Sequence, residues 1–219
     1  MPNKYDLACF DMDGTLTNIR STWKWIHQCL GTENEQGYKD FINQKITEEE
    51  FMRSDISTWK SVKPDLCMQD LVKIFQQTPL VEGIQETVAS LQDCGMRCVI
   101  VSGGIDIAAR MLANEFGFDD CVADSLMIDG DGKLTGEGVK IVDLADKGVW
   151  VRKYIERYGT TPERTVSIGN SFTDIPMFKN SGLSIAFNPL DEYTSAAATY
   201  TVRSQNISDI LDYIIGDAE

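Results

Sequence analysis

Apolar residues along this chain come in two alternating kinds of run. Short ones of strand length occupy residues 5–10, 97–101, 165–168, 183–187 and 199–202, a pattern that fits strands covered on both faces. Between them the apolar positions recur with helical spacing. Residues 84–91 keep that spacing up to Gly95. Ile107, Met111, Leu112 and Phe116 share one side of 107–116, which stops at Gly117. Val151, Tyr154, Ile155 and Tyr158 share one side of 149–158, which stops at Gly159, and residues 207–215 close the chain. Glycine just past a helix end suits the left-handed conformation common there. Strand alternating with helix predicts an α/β protein built on a doubly wound parallel sheet.

Two regions break the alternation. Residues 18–79 show helical periodicity, abundant charge and three tryptophans (Trp23, Trp25, Trp59), with no convincing strand. They read as a small helical insertion, so the expected division is a core of 1–17 and 80–219 with 18–79 placed on it. Residues 125–142 read as an antiparallel hairpin, with strands at 126–128 and 133–135 around a turn at 129–132. That turn, Asp129-Gly130-Asp131-Gly132, superficially resembles a calcium loop. An EF-hand requires an oxygen ligand at its fifth place, glycine at its sixth and glutamate at its twelfth. Lys133, Leu134 and Lys140 stand there, which excludes the motif.

Composition narrows the function. Among 219 residues, 34 acids against 20 lysines and arginines give a net charge of −14. That repels nucleic acid and anionic membrane surfaces, so neither is an expected partner. No apolar run reaches the ~18 residues of a membrane span, and no basic stretch leads into a hydrophobic one at the N-terminus. The expected location is the cytoplasm. Six scattered cysteines, with Cys94 and Cys98 four apart, are expected to be reduced thiols rather than zinc ligands. His27 is the single histidine, and its amphipathic stretch assigns it to packing or the surface. Ser-His-Asp and Cys-His catalysis are therefore not expected, and carboxylates, hydroxyls and lysine are left to carry the chemistry.

The segment Cys9-Phe10-Asp11-Met12-Asp13-Gly14-Thr15-Leu16-Thr17 concentrates that chemistry. A buried strand delivers two carboxylates into a glycine turn, at the edge of an open parallel sheet where ligands bind. Neighbouring carboxylates repel and commonly share a cation or a proton. Three weaker signals follow. Residues 99–101 run into Ser102-Gly103-Gly104, a hydroxyl and free amides ahead of a helix. Lys147 opens the helix after the hairpin, against the helix dipole. Residues 165–168 run into Gly169-Asn170-Ser171-Phe172-Thr173-Asp174. Together these strand ends supply a nucleophile, a proton donor, phosphate ligands and hard oxygen ligands for a cation such as Mg²⁺, the inventory of phosphoryl transfer through an aspartyl phosphate.

With these residues in place, the chain resembles the haloacid dehalogenase superfamily, most closely its phosphoserine phosphatase branch. The resemblance runs through Asp11–Leu16, Val101–Ala108, Asp131–Gly136, Lys147-Gly148, Gly169–Phe178 and Gly182–Phe187. It implies a Rossmannoid core, a helical cap of the first type inserted after the first motif, and a Mg²⁺-dependent phosphohydrolase of a small phosphorylated metabolite, working as a monomer or homodimer. Asp11 would be the nucleophile and Asp13 the acid and base. Ser102, Gly103, Lys147 and Thr173 would face the phosphoryl group, and Asp11, Asp13, Asn170 and Asp174 the metal.

Two departures from that family stand out. Asn170 replaces an acid that ordinarily ligates the metal, which removes one negative charge; Asp174 compensates, or the metal binds weakly. Arg20 stands where the branch has a glutamate for the substrate amine, and Asp55 where it has an arginine for the carboxylate, with Arg53 two residues earlier. The charge pattern is close to reversed. A substrate with an acidic or strongly oxygenated group, gripped by Arg20 and Asp55, is the expectation; Arg53 as the carboxylate grip is the alternative. Phosphoserine phosphatase proper, a phosphotransferase, and a non-catalytic binding protein on this scaffold are the competing readings.

Overall fold

Within β1 (Leu7–Phe10) every side chain is buried, and alternate residues enter two different cores. Leu7 and Cys9 join Val99, Val101, Val151, Tyr154 and Met177 on one face of the sheet. Ala8 and Phe10 join Cys98, Ile100, Val88, Leu91 and Leu112 on the other. A strand buried on both faces needs helices above and below it, which is what makes the sheet doubly wound. The structure, a computed structural model, describes residues 4–216.

After β1 come four helices, α1 (Thr22–Leu30), α2 (Glu35–Ile42), α3 (Glu48–Val62) and α4 (Met68–Phe75). The rest alternates: α5 (Ile84–Asp93), β2 (Arg97–Ile105), α6 (Asp106–Phe116), β3 (Asp120–Ile128), β4 (Leu134–Val139), α7 (Gly148–Tyr158), β5 (Thr165–Gly169), α8 (Ile175–Phe178), β6 (Leu183–Phe187), α9 (Glu192–Ala197), β7 (Tyr200–Val202) and α10 (Leu211–Ile214). The strands lie in the order β4-β3-β2-β1-β5-β6-β7. All neighbours pair in parallel except the β3–β4 hairpin. The chain leaves β1 toward β2 and later returns to β1's other side as β5. That reversal makes the C-terminal ends of these strands a ligand crevice.

The strand expectations hold, with β2, β3 and β4 each longer than expected, β4 running on to Val139, and one helix is corrected. β2 continues past Val101 to Ile105, carrying Ser102-Gly103-Gly104 within extended backbone instead of at a helix start. β3 begins at Asp120, six residues before the predicted hairpin strand, and its first half pairs in parallel with β2. Asp120 and Asp124 interrupt the apolar run there and hide the strand from a periodicity reading. At the end of the chain, the predicted helix is a 3-10 turn, Ile207–Ile210, leading into the single turn of α10.

The four helices of residues 22–75 have local causes. Ser21 caps α1 by accepting from the Lys24 N–H, and Thr47 with Glu50 forms a reciprocal capping box on α3. The segment leaves and rejoins the sheet layer through paired backbone: Asn18 N–H donates to the Pro79 carbonyl at 2.7 Å and Val81 N–H to that of Leu16 at 3.0 Å. α3 lies against β4, where Met52 meets Gly138, Arg53 pairs with Glu137, and Lys60 donates to the Leu134 carbonyl.

Candidate active site

Asp11 follows directly on β1, its N–H donating to the Ile168 carbonyl of β5 at 2.9 Å. The chain then turns at Gly14, where two demands meet. Its φ of +83° is a left-handed value, and a Cβ there would lie 2.0 Å from Asn170 Nδ2. Only glycine satisfies both. The turn brings the β1 and β5 loops into contact, so Asp11 and Asp174 come to share one lysine.

Lys147, which caps α7, is 1% exposed. Its Nζ lies 2.6 Å from Asp11 Oδ1 and 2.6 Å from Asp174 Oδ1. Burial opposes the ammonium charge, but the two carboxylates outweigh it and hold Lys147 above the ordinary lysine range. Asp11 shows the opposite balance. Burial, then the neighbouring Asp174 charge, pushes its carboxyl up to about 7 despite Lys147. Asp174 Oδ2 accepts from the N–H groups of Asn170 and Ser171 at 2.9 and 3.0 Å, and Thr15 Oγ1 donates to Asp11 Oδ2 at 3.3 Å.

Asp13 is held differently. Its Oδ2 accepts from the N–H and hydroxyl of Thr22 at 2.9 and 3.1 Å, while Oδ1 is buried with no hydrogen-bond partner. Burial pushes this carboxyl up to about 6. A buried oxygen without a partner is costly in a folded protein, and such exceptions concentrate where a ligand completes the set. Ser102 is buried, its Oγ accepting from Gly104 N–H at 3.0 Å. Gly103 offers its carbonyl to Trp23 Nε1 at 3.2 Å.

The structure therefore gathers Asp11, Lys147, Asp174 and Asn170 at one edge of the sheet, with Asp13 beside Gly104 and Ser102 bonded to it. Lys147, solvated in the simplest sequence reading, is instead the buried cation of the cluster. Thr173 stands at its margin, half-buried, its hydroxyl 2.8 Å from that of Ser171. The three charged residues expected to grip substrate sit elsewhere. Arg20 is exposed and lines a surface cavity of about 240 Å³ with Lys24, Gln28 and Pro79, which includes none of Asp11, Asp13, Ser102 or Lys147. Arg53 is committed to Glu137 through three hydrogen bonds of 2.9–3.0 Å. Asp55 is buried, its Oδ1 accepting from Asn34 at 2.8 Å and lying 3.1 Å from His27 Nε2. His27, also buried, completes a polar knot with Thr32 inside the helical segment.

Other contributors escaped the sequence reading. Thr22 has no motif, since its value to Asp13 arises only in three dimensions. Asp124, near the end of the parallel part of β3, accepts from Ile141 and Val142 N–H at 2.7 and 2.9 Å and thereby fixes the loop leading to Lys147. Its Oδ2 is buried without a partner, and burial pushes its carboxyl up to about 7.

The haloacid dehalogenase-like hydrolase family model matches residues 8–179. The chain belongs to that family. A phosphoserine phosphatase of Methanocaldococcus jannaschii is 33% identical over 98% of this chain and 100% of its own length, and one of Idiomarina loihiensis is 29% identical over 96% and 94%. Among solved structures, a phospho-aspartyl intermediate analogue of phosphoserine phosphatase superposes with a TM-score of 0.79 at 32% identity, covering 96% of this chain and 99% of that one. A family hydrolase from Salmonella enterica gives a TM-score of 0.86 at 19% identity, covering 99% and 74%, a likeness of fold. The chain is a phosphatase of this family, in the branch that resembles phosphoserine phosphatases.

The donor set suits a hard divalent cation. Asp11 and Asp174 bring two buried carboxylates against a single lysine. The Asn170 amide oxygen and the Asp13 carbonyl are further oxygen donors of the kind Mg²⁺ takes. No group of three or more acids, histidines or cysteines converges as a metal cluster among the described residues.

Proposed function

We propose that this phosphatase hydrolyses a small phosphomonoester through an aspartyl phosphate on Asp11, with Mg²⁺ as cofactor. The observation that carries the reading is the pairing of Asp11 with Lys147 beside a second carboxylate, Asp13, that keeps one oxygen free. An Asp11 oxygen attacks phosphorus as the bond to the leaving oxygen breaks, and Asp13 delivers the proton to that oxygen. Water then attacks the acyl phosphate, losing its proton to Asp13, and inorganic phosphate leaves with Asp11 restored. Ser102, the Gly103 backbone and Lys147 hold the phosphoryl oxygens, with Thr173 at the margin. Asp11, the Asp13 carbonyl, Asn170 and Asp174 would hold Mg²⁺, which when bound supplies charge neutralisation at the phosphoryl oxygens.

Residues 18–79 serve as the cap of the core formed by 1–17 and 80–219, and the paired linkers at Asn18–Pro79 and Leu16–Val81 support a hinge there. The net charge of −14 supports a free metabolite as partner instead of nucleic acid or an anionic membrane. Among the described residues no helix is long and apolar enough to cross a membrane. A cytoplasmic monomer or homodimer fits these features. Phosphate release from phenyl phosphate, with and without Mg²⁺, tests the reading: metal-dependent release is expected, and no release under any metal condition would contradict it.

A further inference from the structure

The charges that would recognise an amino acid are committed elsewhere, and an indole stands against the Ser102-Gly103-Gly104 segment. Arg53 is tied to Glu137, Asp55 to Asn34 and His27, and Arg20 faces another cavity. Trp23, the second residue of α1, lays its indole N–H on the Gly103 carbonyl at 3.2 Å and stacks on Trp59, with centroids 5.6 Å apart. Trp59 is fully buried and flanked by the His27 ring, which fixes the indole of Trp23 from behind. The other groups crowding the two glycines are the Leu144 side chain, 2.4 Å from where a Gly103 Cβ would stand, and the buried Met12 methyl and Thr22 Oγ1, each 2.6 Å from that of Gly104. The same Gly104 position lies 2.8 Å from Asp13 Oδ2, so the segment that carries the Trp23 contact adjoins the proposed proton donor. Phe172, on the loop after β5, is 67% exposed.

We infer that Trp23 is a specificity-determining residue and that the enzyme takes phosphomonoesters whose organic part is flat, apolar and uncharged. This rests on the phosphohydrolase reading and adds to it the substrate class. A ring beside the phosphoryl group meets an indole held in place on two sides, the arrangement aromatic pairs favour. A carboxylate in the same position loses its water against the indole while Arg20 and Arg53 are engaged elsewhere, which is costly.

The test compares substrates with the same kind of leaving oxygen: benzyl phosphate, 4-carboxybenzyl phosphate and O-phosphoserine, each with the full-length protein and Mg²⁺. Benzyl phosphate should exceed both others in kcat/KM by roughly tenfold or more, chiefly through KM. Trp23→Ala should remove most of that preference, and Trp23→Phe, which keeps a ring, should retain it. Phosphoserine or the carboxylate matching benzyl phosphate in the parent enzyme overturns the inference, and this ranking needs no variant to fold. An undiminished preference in folded Trp23→Ala also overturns it. Failure to release phosphate from all three and from phenyl phosphate overturns the phosphohydrolase reading itself and the inference with it.

Discussion

Thr22 gives both its N–H and its hydroxyl to one oxygen of Asp13, at 2.9 and 3.1 Å, and the same hydroxyl accepts from the Ile105 N–H at 2.9 Å. One side chain at the start of α1 thus ties the β1 loop to the end of β2 and fixes which Asp13 oxygen stays free. Thr22→Val keeps the shape and removes both hydroxyl bonds, leaving the buried Ile105 N–H unpaired at a cost of about 1–3 kcal/mol. The expected outcome is a kcat about tenfold lower with KM little changed, because Asp13 loses its aim while the phosphate ligands stay. Thr22→Ser should recover most of the loss. A kcat for Thr22→Val equal to the parent's would show that Asp13 is oriented by other means.

The pH dependence of Asp13 follows from its burial. With its carboxyl pushed up to about 6, the protonated form that serves an alkyl leaving group is lost as pH rises through that value. For benzyl phosphate, kcat/KM should fall on the alkaline side of pH 6. For 4-nitrophenyl phosphate, whose leaving oxygen needs little proton, that limb should be shallow. Profiles that coincide on the two substrates would remove Asp13 from the proton-donor role.

Buried carboxylates also set the pH dependence of stability. Asp124 and Asp13 titrate at about 7 and about 6 in the folded protein, above the ~3.9 of an unfolded chain. Between these values the folded state binds more protons than the unfolded one, so stability falls as pH rises from about 4 to 7 and stays low beyond. Carboxylates held below their ordinary value, such as Asp119 by the Cys98 N–H and Arg97, act below this window. Thermal melts should therefore give a higher Tm at pH 5 than at pH 8. Asp124→Asn, which retains an acceptor for the Ile141 and Val142 amides, should narrow that difference. An unchanged difference in the variant would mean that Asp124 pays no charge penalty.

Asn170→Asp adds a charge where Mg²⁺ is proposed to sit and a third carboxylate beside Asp11 and Asp174. Without metal the variant should melt below the parent; with saturating Mg²⁺ it should gain more in Tm, and the half-saturating Mg²⁺ concentration should fall by roughly tenfold. Melting titrations read this independently of turnover. Equal Mg²⁺ responses in the two proteins would place Asn170 outside the metal shell.

The sequence made Asp11, Asp13, Ser102, Lys147, Asn170 and Asp174 legible because each sits where a strand ends or a helix begins, and short-range pattern reveals those places. It also revealed the helical character of residues 18–79. What it concealed depends on long-range geometry. Asp55 is 28 and 21 positions from the residues that hold it, and only the fold shows it closed off by His27 and Asn34. Arg53 and Glu137 are 84 positions apart, so their pairing could not be read from either neighbourhood. The first half of β3 was hidden by acids that the sheet tolerates because backbone amides bind both, Cys121 N–H to Asp120 and the Ile141 and Val142 N–H groups to Asp124.

The central claim is that Asp11 carries the phosphoryl group. It is tested most directly by acid-quenching the protein during turnover of phenyl phosphate with Mg²⁺ and locating the modification by peptide mass spectrometry. The account predicts an acyl phosphate on the peptide containing Asp11, accumulating further in Asp13→Asn, where hydrolysis lacks its base. In Asp11→Asn it should be absent, with turnover down by at least about a thousandfold, since an amide cannot form the intermediate. Steady phosphate release with no phosphoryl group on Asp11, or Asp11→Asn turning over within tenfold of the parent, would contradict it.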